Sequence, residues 1–347
     1  MTRLERLVAR LRRSLLATER KGLRDIIGGY GDVSKRLRLD LDELLAQIDN
    51  ARQAGETPNV SWLVRQERYT ILLTQLESAL TTFAAQSADV TERLQRQAAI
   101  AAADDATALI KLAAGTAPPG GTAAISITFG TPPASVIDRI VGNAADGTPL
   151  GDLLGEIAGR GVREVRTALQ TGVAAGHSPR DIARAVQRAS GSSLARALTI
   201  ARTESIRAYR DITADQYKRS RSILEGWVWN AALDRRTCPA CWAMHGQEFT
   251  VDETLDSHPN CRCAMIPKTK SWADLGFPGT PDSRPSTTGG PDLFSKLSGS
   301  DQAAILGPGK YQAYKDGQIT LPDLVHRTDS PRWGPGRREA TLREALT

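Results

Sequence analysis

The chain has 347 residues, 40% of them hydrophobic and 24% charged, which is enough for about two domains with a sizeable core. Lys and Arg outnumber Asp and Glu by 45 to 39, giving a formal net charge of +6 that favours an acidic partner without identifying one. No apolar run approaches the roughly 18 residues of a membrane span, and the alternating Leu and Arg residues after Met1 do not form a signal-peptide core, so we expect no membrane association.

The chain begins with patterns typical of long helices. Residues 1–22 place leucines on one face and arginines around it, which predicts a basic amphipathic helix. The glycines of 28–31 predict a turn that ends it. From Ser34, Leu and Ile recur at helical spacing, so a second helix is expected as far as the turn at 55–58.

Residues 61–114 contain neither Gly nor Pro and predict a further helix. A single helix of this length would extend about 80 Å, so we expect a break near 86–89. The Ala-rich faces of this arm bury little area per residue. The arm is therefore stabilised in part by a partner chain or by a closely packed neighbouring helix. The alternative is a plain helical hairpin.

A linker and a second helical block follow. Glycines and prolines at 115–121 predict the linker, and 123–129 has short β character. Residues 178–181 (Ser-Pro-Arg-Asp) supply an N-cap, a proline at the first helical position and a first-turn acid, so a helix begins there. The Gly-Ser-Ser at 191–193 is expected to separate it from a longer helix that ends near Ser222.

The last third of the chain has β-like and extended character. Strands are predicted at 227–229, 247–251 and 262–266, where Trp and Val residues alternate. The Pro-, Gly- and Ser-rich stretch at 276–292 predicts a linker. The tail after it contains one helical piece at 297–306 and is otherwise expected to be extended and to pack on another part of the protein.

All four cysteines fall between Cys238 and Cys263, and three of them belong to two turns of the same form. Residues 238–241 (Cys-Pro-Ala-Cys) and 258–261 (His-Pro-Asn-Cys) each consist of a ligand-capable residue, Pro, one spacer and Cys. Such a turn directs two side chains to a point about 2.0–2.3 Å from each, so two facing turns can surround one zinc ion. Clustered thiols in a chain without an export signal favour metal over a disulfide framework.

Five residues compete for the four positions of a tetrahedral site. The pairing of the two turns gives the first-choice ligands Cys238, Cys241, His258 and Cys261. Cys263 is the fifth candidate, because residues two apart on a strand share a face and it could replace His258 in a four-cysteine site. His245 is a weaker candidate. Reduced thiols in a small core, or a disulfide across the turns, are the alternatives to zinc.

Protein ligands can fill every position, which indicates one structural zinc and no catalytic residue. A catalytic zinc keeps a position open for water and normally has an acid–base carboxylate nearby. The zinc deaminase pattern fails because no Pro precedes Cys238 and because the His245–Glu248 spacing is wrong. A zinc-stapled DNA nuclease stays an alternative, since Asp256-Ser257-His258 could offer a general base, although His258 is better used as a ligand. Asp234 is expected to orient Arg236 or cap the first turn, with core packing as the alternative.

Three motifs occur in an order and spacing similar to those of a known family. They are the Arg-Thr-Glu helix at 202–204, the Cys-Pro-Ala-Cys turn at 238–241 and the His-Pro-Asn-Cys-Arg-Cys turn at 258–263. Over roughly residues 145–270 the chain resembles the phage Mu F-like minor head proteins, also called head morphogenesis proteins, of tailed bacteriophages and prophages. Phe294 and Trp333-Gly334 in the tail also resemble the C-terminal segment of family members.

The resemblance implies a non-enzymatic virion component that acts in head morphogenesis. Its expected place is inside the capsid near the portal, in low copy number, and in the host cytoplasm during assembly. Its expected partners are the portal protein and capsid or scaffold proteins, with viral DNA as a further candidate. A DNA-binding module without catalysis is the remaining alternative to a structural role.

The combined prediction is an α+β, predominantly helical protein. A long-helix N-terminal region precedes a helical domain with a small zinc-stapled β module, and an extended C-terminal tail follows. The predicted boundaries are 1–115 for the helical arm, 123–270 for the Mu F-like domain and 271–347 for the linker and tail. The zinc-binding module is placed at 226–267.

Overall fold

The computed structural model describes residues 2–114, 133–279 and 287–347, and these form two compact units. The first unit takes its described residues from Met1–Ala17, Gln95–Val141 and Ser205–Thr347. The second takes them from Thr18–Leu94 and Gly142–Glu204. Three predicted features fall wholly or partly outside the described residues: the linker at 115–121, the β segment at 123–129 and the centre of the linker at 276–292.

The first helix, α1, runs without interruption over Arg3–Gln53. The predicted turn at 28–31 is therefore wrong. Each glycine inside a helix lowers the stability of the helix by about 1 kcal/mol relative to alanine. Ile26, Tyr30 and Val33 are buried on one face of the same stretch, and full burial of such side chains contributes about 1.5–3 kcal/mol each. Packing therefore outweighs the local preference for a turn.

A short helix, α2 (Val60–Val64), is followed by the second long helix, α3 (Glu67–Ala114). The predicted break near 86–89 is wrong. The buried hydroxyl of Thr91 donates to the carbonyl of Ser87 at 2.7 Å, so it is satisfied inside the helix. In the second unit α1 and α3 pack on each other, with the rings of Tyr30 and Phe83 5.4 Å apart. This packing fits the helical-hairpin interpretation.

Three helices follow, α4 (Ala134–Ile140), α5 (Leu150–Ala174) and α6 (Pro179–Arg219). The predicted helix start is confirmed, because the Asp181 amide donates to Ser178 Oγ at 3.2 Å. The predicted break at 191–193 is wrong. A Cβ on Gly161 would clash with Ser193 Oγ. The small residues that suggested a break instead allow α5 and α6 to approach closely.

The predicted strands are confirmed as an antiparallel sheet of β1 (Leu224–Asn230), β2 (Glu248–Thr250) and β3 (Ala264–Thr269), in the order β2-β1-β3. Trp227 lies opposite Phe249, and their rings stack with centroids 4.4 Å apart. The helix α7 (Pro239–Met244) precedes β2. None of the helices described has the length and apolar character needed to cross a bilayer.

The C-terminal segment is folded rather than extended. It contains α8 (Gly290–Ser295), α9 (Gly299–Leu306), α10 (Pro308–Lys315), a 3-10 turn (Pro322–Leu324), the hairpin β4 (Val325–Ser330) and β5 (Gly334–Glu339), and α11 (Leu342–Ala345). The helix expected at 297–306 is confirmed as α9. The segment packs on α7, as expected, because Phe294 and Leu324 share a core with Trp242.

Gly290 lies at the closest approach between α7 and α8. A Cβ there would overlap the carbonyl oxygen of Trp242, and the Gly290 amide donates to His245 O at 2.7 Å. We expect Gly290→Ala to lower the free energy of unfolding by about 2–3 kcal/mol, because the two backbones must separate. Gly289→Ala is the matched control, since its nearest atoms would lie 3.9 Å away. Equal loss in both variants in thermal denaturation would contradict the packing.

Candidate metal centre

Local backbone geometry shapes the two cysteine turns. Cys238 is the N-cap of α7 and Pro239 follows it, so the Cys241 amide reaches back to Cys238 Sγ at 3.4 Å. In the second turn Asn260 has a left-handed φ of 63°, a conformation that asparagine tolerates well. The Cys261 amide donates to His258 O at 3.2 Å. Each turn thus brings its first and fourth side chains together.

The two turns face each other, and five ligand atoms gather around Cys241. His258 Nε2 lies 3.1 Å from Cys238 Sγ and 3.3 Å from Cys241 Sγ. Cys241 Sγ lies 3.7 Å from Cys261 Sγ. Two triads, each with ligand atoms within 4.8 Å of one another, share Cys241: Cys238, Cys241 and His258; and Cys241, Cys261 and Cys263. The three separations of 3.1, 3.3 and 3.7 Å are close to the distances of about 3.3–3.8 Å between neighbouring ligands of a tetrahedral site with bonds of 2.0–2.3 Å.

The hydrogen bonds of His258 suit a metal ligand. Its Nδ1 lies 2.8 Å from Pro259 O. With Nδ1 as the donor, the lone pair of Nε2 is directed at the sulfur atoms, which is the usual arrangement for a zinc-bound imidazole. Burial alone would lower the pKa of His258, but the hydrogen bond with Cys238 and the neighbouring thiolates raise it to about 9, so a bound cation would have to displace the proton from Nε2.

The four thiols differ in acidity: the hydrogen bond with Cys241 lowers the pKa of Cys261, whereas the hydrogen bond with Cys238 raises that of Cys241 and burial raises that of Cys263. The hydrogen bond with Cys241 is the main cause that lowers the pKa of Cys238, to about 5. Cys241, Cys261 and Cys263 are buried, and all four cysteines are free. The disulfide alternative therefore does not describe this structure. Three buried sulfur donors, with the half-buried Cys238 and His258 beside them, fit a closed, structural zinc site.

Comparison with known proteins identifies this part of the chain. Residues 163–266 match the family model described as Phage Mu protein F like protein. This matched segment is similar to that family. The match lies inside the 145–270 segment expected from the resemblance, begins within α5 and ends in β3. No curated protein and no solved structure matches the chain significantly.

Asp234 joins the two cysteine turns of the matched segment. Its carboxylate accepts from the Arg236 amide at 3.0 Å and from the Thr237 hydroxyl at 3.0 Å, which confirms the expected contact with Arg236. The same carboxylate accepts two bonds from the guanidinium of Arg262, at 3.2 and 3.1 Å. Burial opposes ionisation, but the bonds from Arg262 lower the pKa of Asp234. The pairing with Arg262 was not predicted.

Arg210 of α6 is a second residue that sequence reasoning missed. Its Nη2 donates to Cys261 O at 3.0 Å and Cys263 O at 2.9 Å, and lies 3.3 Å from Cys261 Sγ. Its Nη1 donates to Ser257 Oγ at 2.6 Å. One guanidinium thus holds the whole second turn. No local pattern marks Arg210, because it lies on a charged helix far from the cysteines in sequence.

The weaker candidate, His245, lies outside both triads. It is buried, and its Nδ1 accepts the Ala231 amide at 3.1 Å. Burial lowers the pKa of His245 to about 4, so the ring is neutral at physiological pH. His245 is therefore a core residue whose ring nitrogen is hydrogen-bonded.

Proposed function

We propose that this chain is a structural, non-enzymatic protein of the phage head and that one zinc ion closes its β module. The match to the phage Mu F-like family points to head morphogenesis and to a place in the virion. The observation that carries the proposal is that all five candidate ligands lie inside the matched segment and gather around Cys241. Fixing loops is the role that closed zinc sites play in proteins.

The ligand set favoured by the contacts is Cys238, Cys241, His258 and Cys261, with Cys263 as the spare residue. Backbone amides point at the sulfur atoms of Cys238 and Cys261, from Cys241 at 3.4 Å and from Cys263 at 3.5 Å. Arg210 adds a charged donor to Cys261. Hydrogen bonds of this kind stabilise metal-bound thiolates.

The proposed partners are the portal protein and the capsid or scaffold proteins, contacted from inside the capsid near the portal. Assembly in the host cytoplasm and a low copy number belong to the same proposal. The boundaries at 1–115, 123–270 and 271–347 remain proposed domain limits. Support comes from the family match alone.

Co-sedimentation with portal rings tests this role. The full chain and the portal protein of the same phage are co-expressed and separated on a density gradient. We expect the chain to sediment with the rings, and the variant Cys241→Ser, in which the β module should unfold, to sediment less. Recovery of the wild-type chain only at the top of the gradient would contradict the proposal.

The nuclease alternative gains no support from the position of His258. Its Nε2 faces the sulfur atoms of Cys238 and Cys241, which supports the proposed role as a ligand rather than as a general base. We expect no cleavage of plasmid DNA by the purified chain with Mg²⁺ or Mn²⁺. Cleavage that His258→Ala abolishes, with folding retained, would favour the enzyme.

A further inference from the structure

The hairpin of β4 and β5 lies against both cysteine turns in the first unit. We call its residues, 325–339, the C-terminal hairpin. It contacts α7, the helix that carries Cys241. Val325, the first residue of β4, packs against the core that contains Cys241, Cys261 and Cys263, and also against the core that α7 shares with the C-terminal segment. The hairpin therefore forms part of the surroundings of the candidate metal centre.

The backbone of β5 approaches the start of the second cysteine turn closely. Gly336 is buried, and a Cβ there would lie 3.0 Å from Ser257 O and 3.2 Å from Thr328 Oγ1. Thr328 is the residue opposite Gly336 in the hairpin. Most Cβ atoms keep a greater distance from their neighbours than this. The missing side chain thus allows the hairpin to touch the turn.

Arg337 attaches the C-terminal hairpin to the segment before His258. Its Nη1 donates to Asp256 O at 3.2 Å and lies 3.8 Å from Asp256 Oδ2. Its guanidinium carbon lies 5.6 Å from the ring centroid of Phe249 and 5.8 Å from that of Trp229. Only 12% of the side chain is exposed. Cation–π contacts are strongest when water is excluded in this way.

Two guanidinium groups therefore hold the second turn from different elements. Arg210 of α6 binds the Ser257 side chain and the carbonyls at the end of the turn. Arg337 of β5 binds the backbone carbonyl of Asp256, two residues before the candidate ligand His258. Segments of a folded protein open locally where few contacts hold them. Loss of the Arg337 contacts would thus favour an opening that moves His258 away from the sulfur atoms.

We propose that the C-terminal hairpin controls how fast zinc leaves the cysteine site, and that Arg337 is the positioning residue through which it acts. The proposal rests on the proposed function for the presence of zinc. Residues that hold metal ligands in place typically change metal affinity by about 10- to 100-fold when they are replaced. Asp256, which the sequence suggested as part of a general base, receives a different role as the attachment point of Arg337.

Zinc transfer to a dye tests the role of the hairpin. The full chain is loaded with zinc, excess pyridylazoresorcinol is added without denaturant, and zinc release is followed by absorbance. Arg337→Gln removes the charge that the aromatic rings and Asp256 face. Arg338→Gln is the matched control, because neighbouring residues of a strand face opposite sides and Arg338 pairs with Glu344, at 2.9 and 2.7 Å.

We expect zinc release to be about tenfold faster in Arg337→Gln than in the wild type, and Arg338→Gln to stay within about twofold of the wild type. Arg337→Lys should release zinc at an intermediate rate, because an ammonium group keeps the cation–π attraction. With Co²⁺ in place of zinc, the thiolate-to-metal absorption should be the same in the wild type and all three variants, since the ligands are unchanged.

Equal release rates in Arg337→Gln and Arg338→Gln would overturn the proposal. If Arg337→Gln does not fold, equal rates in Arg337→Lys and Arg338→Gln would overturn it. A changed Co²⁺ spectrum in the folded Arg337 variants would overturn it as well, because the ligand set itself, rather than the release of the metal, would then depend on Arg337.

The hairpin proposal and the zinc site can fail separately. Equal release rates in a chain that binds zinc would leave the proposed function standing. A wild-type chain that folds without zinc would contradict the proposed function and not the hairpin. The rate at which dithionitrobenzoate modifies the buried thiols of Cys241 and Cys261 then replaces zinc release as the measurement. A faster reaction in Arg337→Gln than in Arg338→Gln would support the hairpin proposal, and equal rates would overturn it.

Discussion

Replacing Cys241 with serine is expected to abolish stoichiometric zinc binding and to unfold the β module. Cys241 is the one residue that both triads share, so its loss breaks both of them. Structural zinc contributes about 10–16 kcal/mol of apparent binding free energy in small zinc domains, far more than a typical side-chain contact. The loss in the free energy of unfolding should therefore exceed about 4 kcal/mol, an exceptional value for a single substitution.

The matched control for Cys241 is Cys263→Ala. Both residues are buried, but only Cys241 belongs to the proposed ligand set. Zinc content by elemental analysis and thermal denaturation are measured for both variants. We expect about one zinc per chain in Cys263→Ala and none in Cys241→Ser. Loss of zinc from both would favour the four-cysteine site, and retention in both would contradict a site centred on Cys241.

Metal loss is expected to reach beyond the cysteine turns. Leu4 and Val8 of α1 pack with Val228 of β1 and Ile266 of β3, so the start of α1 depends on the sheet that the turns support. Hydrogen exchange after chelation should therefore show amides near Leu4 and Val8 losing protection together with those of β1 and β3.

The second large effect is expected from Arg210→Ala. Without the guanidinium, the carbonyls of Cys261 and Cys263 lose their donor in a buried turn. Unsatisfied buried acceptors cost about 1–3 kcal/mol each, so the free energy of unfolding should fall by about 3–5 kcal/mol. Arg210→Lys should recover part of this loss, because an ammonium group reaches fewer of the same acceptors.

Arg207→Gln is the matched control for Arg210. Arg207 lies one turn earlier on α6 and pairs with Asp211 at 2.8 Å. A partly exposed ion pair of this kind contributes about 0–1 kcal/mol. Denaturant titration of both variants checks the difference. If Arg210→Ala and Arg207→Gln destabilise the protein equally, Arg210 does not hold the second turn.

The cysteine turns could be predicted from sequence because their geometry is local. A ligand, a proline, a spacer and a cysteine determine how two side chains converge, whatever surrounds them. The residues that hold the turns in place are not local. Arg210 reaches Cys263 across 53 residues, and Arg262 reaches Asp234 across 28. Only the tertiary structure brings these partners together.

The helix boundaries were predicted wrongly for the opposite reason. Local sequence signals for a break were present, but tertiary packing outweighed them. Glycines at 28–31 and 191–193 suggested breaks, yet α1 and α6 continue through both. Local propensity is a weak preference, and the burial of Tyr30 and the close approach at Gly161 outweigh it. The strands were easier to predict, since Trp227, Val228 and Trp229 combine β propensity with burial.

The C-terminal segment folds against α7, which belongs to another part of the same chain. Its prolines and glycines indicated turns and an extended chain. Phe294 packs edge-to-face on Trp242, with ring centroids 5.5 Å apart, and Leu324 completes the same core. Because Trp242 belongs to α7, the pattern of the segment alone could not reveal this core.

Zinc-edge X-ray absorption, combined with elemental analysis of the purified full-length chain, tests the central claim most directly. The account predicts about one zinc per chain, with about three sulfur ligands at 2.3 Å and one nitrogen at 2.0 Å. A chain that folds fully and reproducibly without stoichiometric metal, or a zinc ion surrounded only by oxygen and nitrogen, would contradict it.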